Sequence, residues 1–162
     1  MVAVERLLTW LEQTPPAVAL ARSIWLYPAV ESVHILGFAL LVGAAACLDL
    51  RLLGVSRRLP VGLVARHALP LVWLGFALAA VSGVLLLATD ATETGLKPVF
   101  LAKLALIALA GVNAAFFHAR VARSVTAWGL GVMPPPAARL AGLLSLTLWA
   151  AVLVLGRLIA YV

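Results

Sequence analysis

Four long apolar stretches alternate with short polar connections along the chain, at 29–53, 62–88, 98–122 and 139–160. Each reaches the roughly 20 residues that a helix needs to cross a bilayer, so the pattern predicts four transmembrane helices. Ahead of them, Val4, Leu7, Leu8 and Leu11 recur at helical spacing while Glu5, Arg6, Thr9 and Glu12 take the other face. That is a short amphipathic helix lying in the interface, with Trp10 suited to headgroup depth, and it is not the pattern of a secretory signal. Pro15 and Pro16 separate it from a second stretch, 17–27, which ends on Trp25 and Tyr27, residues of the aromatic belt. Pro28 is expected to reset the chain for the first span. The expected organisation is an interfacial amphipathic segment over 1–28 and an all-α, up-and-down four-helix transmembrane domain over 29–162, with neither a soluble domain nor an internal repeat.

Composition agrees, since 65% of the 162 residues are hydrophobic and only 11% charged, against about 45 to 50% and 25% in soluble domains. The net charge of +6 does not point to nucleic acid. Its arginines gather in two connections: Arg57 and Arg58, flanked by Arg51 and Arg66, and Arg123, near Arg120 and Arg139. The other connection carries Asp90, Glu93 and Lys97, so the positive-inside rule places the arginine loops in the cytoplasm and both termini outside it. The third connection, with Gly129, Gly131 and three consecutive prolines, reads as a rigid irregular link. Cys47 is the single cysteine, which excludes a disulfide framework and a multi-cysteine metal site.

Ionisable side chains at membrane depth are costly, and each is a candidate functional residue. With about 1.5 Å of rise per residue, depth follows from position. His34 lies five positions into the first span and Lys103 five into the third, and both spans enter from the same side. Glu31 shares the His34 face, while Ser82, Gly83 and Arg157 approach that level from the opposite direction, which defines an outer cluster. An inner cluster combines His67, His118, Asp49 and, a little deeper, Asn113. His34 and His118 differ by about fifteen residues of depth, or roughly 22 Å, so only His67 and His118 are expected to be able to face each other across one porphyrin.

Imidazoles projecting from facing helices can ligate haem iron, and Gly37, Gly43, Gly75, Gly83 and Gly111 would admit a flat ring. The same glycines would also simply let helices approach closely. Structural readings stand beside the chemical ones. His67 and His118 lie near span ends where polar groups reach the headgroups, and His34 with Lys103 and Glu31 would form a buried hydrogen-bonded set. Asp49 would pair with Arg51 or cap the helix end, Asn113 would fasten helices together, and Arg157 would anchor at the surface. No catalytic triad, phosphate loop or zinc signature is present.

The segment Trp25, Leu26, Tyr27, Pro28, Glu31, His34, Gly37, followed by Asp49, Leu50, Arg51, Leu52, Leu53 and Gly54, resembles an uncharacterised family of small bacterial four-helix membrane proteins. Pro70, Trp73, Gly75, Phe76 and Gly83, then Phe100, Lys103, Leu104, Gly111, Asn113 and His118, extend that resemblance over most of the chain. A histidine early in the first span with a lysine early in the third, here His34 and Lys103, is distantly similar to the HemJ-type protoporphyrinogen oxidases, four-helix membrane proteins associated with haem b. CopD-type copper-resistance membrane proteins are similar by helix pattern. These resemblances imply a bacterial inner-membrane location and a haem-linked chemistry.

The leading expectation is therefore a haem-b-binding membrane redox or electron-transfer protein. His34 would be an axial ligand, and Lys103 a second ligand, a catalytic proton carrier or a clamp for acidic groups. A second haem between His67 and His118 would extend electron transfer inward. The expected partners are membrane lipid, a quinone or a membrane redox protein, and further copies or subunits of a larger complex. The rival expectation is a cofactor-free structural or assembly subunit. A copper-handling protein is a third, though Met1, Met133 and one cysteine supply few of the soft ligands that cuprous ion prefers.

Overall fold

The computed structural model describes residues 2–121 and 131–161; Arg123 and Gly129 of the third connection lie outside them. The protein is all-α, with no strand among the described residues. Two short helices, α1 (Val2–Glu12) and α2 (Pro15–Arg22), precede α3 (Leu26–Leu52), α4 (Val61–Ala88), a single-turn α5 (Ala91–Thr94), α6 (Pro98–Phe116) and α7 (Pro136–Leu158). Helices α3, α4, α6 and α7 are each long and apolar enough to cross a membrane.

Two boundaries differ from the sequence expectation for physical reasons. Pro28 does not reset the chain, because α3 begins at Leu26 and the proline falls in its first turn, where its missing N–H has no intrahelical partner to lose. The Ser23 hydroxyl receives the Leu26 and Trp25 amides at 3.1 and 3.4 Å and so caps this entry. At the other end of the third span, α6 stops at Phe116 and the chain widens into a π-helical turn, Phe117–Val121, which carries His118.

The two N-terminal helices pack at one end of the bundle. There the Glu12 carboxylate accepts hydrogen bonds from the Thr92 amide and hydroxyl, both at 2.7 Å, and these hold its pKa below the ordinary glutamate range. Gly95 makes room for Leu8 of α1, since a Cβ there would lie 2.9 Å from Leu8 Cδ2. At the opposite end, the first and third connections meet. The Gly131 amide donates to the Arg57 carbonyl, and Met133 covers Gly54, whose φ of +99° suits glycine. Arg51, almost fully buried, gathers this end by donating to the Leu59 and Arg57 carbonyls. The expected Asp49–Arg51 ion pair is thus not formed: the guanidinium turns to the loop carbonyls of Leu59 and Arg57.

Helix α3 is the spine. It packs closely along α4 and also along α7, and α7 packs along α6, whereas α4 and α6 make no packed interface. Close approach of α3 and α4 rests on two glycines. A Cβ at Gly37 would lie 2.8 Å from the Ala79 nitrogen, and one at Gly75 2.5 Å from the Leu41 nitrogen, so backbone meets backbone with no space for a side chain. The buried apolar core, including Leu48, Leu52, Ala68, Phe117 and Ala141, lies toward the arginine-loop end. Between α4 and α6 the bundle is left with a seam.

Candidate functional site

At the N-terminal end of the bundle, His34 of α3 meets α4. Its Nδ1 lies 3.1 Å from Ser82 Oγ, and the Ser82 hydroxyl donates in turn to the Leu78 carbonyl one helical turn back. With the hydroxyl proton directed to Leu78, the hydrogen-bond pattern assigns the imidazole proton to Nδ1, as donor to the Ser82 oxygen, and the lone pair to Nε2. Ser82 is buried, and the His34 ring is half-buried against α4 because residue 83 is glycine; a Cβ there would stand 2.9 Å from the ring carbon Cε1. Gly83 therefore serves the imidazole, not general helix packing.

Lys103 of α6 reaches the same level. It is partly buried, its Nζ lies 3.5 Å from where a Gly156 Cβ would be, and it is within electrostatic reach of His34. Glu31 is within electrostatic reach of the imidazole too, but its side chain is exposed, so the alternative of a buried set closed by Glu31 is not what the structure shows. Arg157 turns away to Tyr161, donating to its hydroxyl at 2.6 Å and lying over its ring. Four helices thus contribute to the outer cluster: His34, Ser82 with Gly83, Lys103, and Gly156.

The inner histidines are not brought together. His67 Nδ1 lies 2.9 Å from the Leu63 carbonyl and His118 Nδ1 2.8 Å from the Ala114 carbonyl, each satisfied on its own helix and exposed at the surface. They also border different hollows. His67 lines a shallow one with Ala44, Cys47 and Leu71, and His118 lines the seam between α4 and α6. Among the described residues, no cluster of three or more His, Cys, Asp or Glu side chains could hold a metal ion. Asn113 donates to the Ala141 carbonyl at 2.9 Å and ties α6 to α7.

Sequence reasoning placed Asp49 beside a cation and missed its real surroundings. Its carboxyl group is buried against Ser145 of α7 and lines a cavity of about 590 Å³ in the seam. Gly111 gave a partial signal. A Cβ built there meets nothing within 4 Å, so this glycine borders open space, unlike Gly37 and Gly75. Comparison with family models, curated proteins and solved structures finds no match to this chain.

Proposed function

We propose that this multi-pass membrane protein is a redox or electron-transfer protein that holds one haem b at the outer cluster, with His34 as axial ligand. The observation that carries the reading is the His34–Ser82–Leu78 relay. It orients the ring and, with Nδ1 as donor, would leave Nε2 for a metal, in the manner of the hydrogen bonds that stand behind metal-ligating histidines. Lys103, from α6, would act as a second ligand when neutral or, when charged, would hold an acidic substituent. Haem iron would supply one-electron chemistry, and this chain's residues would set its ligation and surroundings. A second haem does not enter the proposal, because His67 and His118 border separate hollows.

Ser82→Ala tests the relay. If His34 is a ligand, the variant is expected to keep a shifted haem spectrum with haem affinity weakened about 10- to 100-fold, as for loss of other such orienting partners. The rival, a cofactor-free structural subunit, is favoured by the fact that the same hydrogen bond joins α3 to α4. It requires colourless protein in which Ser82→Ala costs only about 0.6 kcal/mol of stability.

The arginine-rich connections and the resemblance to bacterial membrane proteins support an orientation in the bacterial inner membrane with those loops cytoplasmic and both termini outside. A reporter fused at the C-terminus is expected to be active outside, and one inserted beside Gly131 inside. Opposite activities would reverse the orientation.

A further inference from the structure

The seam between α4 and α6 holds a feature that the His34 cluster does not use. Its cavity runs along α3 from Leu41 to Leu52, a length of about 16 Å. Trp73 and Phe76 line it from α4, Trp149 from α7 and the Gly111 backbone from α6. At about 590 Å³ it is within the range of small-molecule sites, roughly 300 to 1,000 Å³. Its polar groups are Asp49, Asn113, Ser145 and His118. The Asn113 amide and His118 Nδ1 are already bonded to carbonyls.

Asp49 is the exception. The residue is only 6% exposed, and Oδ2 has no hydrogen-bond partner among the described residues. Among the described residues no lysine or arginine lines the cavity, and Arg51, two residues on, directs Nε and Nη2 to loop carbonyls, while its buried Nη1 has no partner and does not reach Asp49 Oδ2. Asp49 Oδ2 is therefore a buried acceptor without a donor, next to aromatic walls that attract cations.

We propose that this cavity binds an amphiphilic organic amine in its protonated form. The ammonium donates to Asp49 Oδ2, and the apolar body lies along the seam toward Trp73, Phe76 and Trp149. A protonated amine supplies a donor for Oδ2 and a cation for the aromatic walls at once, whereas a neutral alcohol supplies only the donor. Entry is from the lipid, because α4 and α6 do not close on each other. The site shares no residue with His34, Ser82 or Lys103, so it stands independently of haem binding.

The test uses the full chain in lipid nanodiscs near neutral pH, where an alkylamine is protonated. The probes are 11-bromoundecylamine and its uncharged match, 11-bromoundecanol, whose bromine quenches nearby tryptophan. Wild-type protein is expected to show a saturable quenching component with the amine and only linear partitioning with the alcohol. Asp49→Asn should raise the half-saturating amine concentration about tenfold, the loss expected for one charge-assisted hydrogen bond. Gly111→Leu, which grows into open space, should remove the saturable component while leaving circular dichroism unchanged; Ala108→Leu is the substitute if that variant does not fold. Equal saturation by amine and alcohol, an unshifted isotherm in Asp49→Asn, or no saturable component in wild type would each overturn the proposal. Saturable amine binding in protein that is colourless and takes up no haem on titration would refute the haem reading and leave this one intact.

Discussion

Replacing His34 with alanine is expected to abolish the Soret band of the purified protein while leaving its helical content unchanged. The imidazole projects from α3 and is held by Ser82, and its removal takes away the outer-cluster side chain whose neutral form offers a nitrogen lone pair near neutral pH. The helices themselves lose little, since a single polar contact between membrane helices contributes about 0.6 kcal/mol on average and seldom more than about 2 kcal/mol. Spectral loss without unfolding is the signature of a ligand. An unaltered spectrum in His34→Ala, read alongside intact circular dichroism, would clear this residue of the role.

The largest effect on stability is expected at Gly75. Even a methyl group there would sit 2.5 Å from the Leu41 nitrogen and 2.7 Å from the Gly37 carbonyl oxygen, so α3 and α4 would have to separate along their main interface. Gly75→Leu is accordingly expected to cost about 3 kcal/mol or more, at the upper end for overpacking, because backbone cannot repack as a side chain does. Gly43→Leu is the matched control. A Cβ at Gly43 meets nothing within 4 Å on an exposed face of α3, and the substitution should be close to neutral. Thermal unfolding in detergent, followed by circular dichroism, separates the two; equal midpoints would show that α3 and α4 do not depend on this close approach.

The four spans were legible because bilayer thickness sets helix length, and apolar composition over such lengths has few other readings. Depth arithmetic was equally direct. It brought His34, Ser82, Gly83 and Lys103 to one level from residue numbers alone, because every helix advances by the same rise. Rotation was not legible. Apolar residues surround each span, so no polar face tells which way a side chain turns, and His67 and His118 share a depth yet point to different hollows. The same gap hid Asp49. Proximity in sequence to Arg51 suggested a pair, but residues two apart on a helix point in different directions, and each found its own environment. Glycines were ambiguous for a related reason. Gly75 packs a helix, Gly83 seats an imidazole and Gly111 borders a void, and only the neighbours distinguish them.

Haem binding at the outer cluster is tested most directly by the reduced-minus-oxidised visible spectrum of the wild-type protein purified from haem-sufficient cells. A b-type spectrum with one component, absent from His34→Ala, is the expected result. Protein that is colourless as isolated and acquires no saturable absorption band on titration with haem would contradict it, and would leave His34 and Ser82 as a hydrogen bond that fastens α3 to α4.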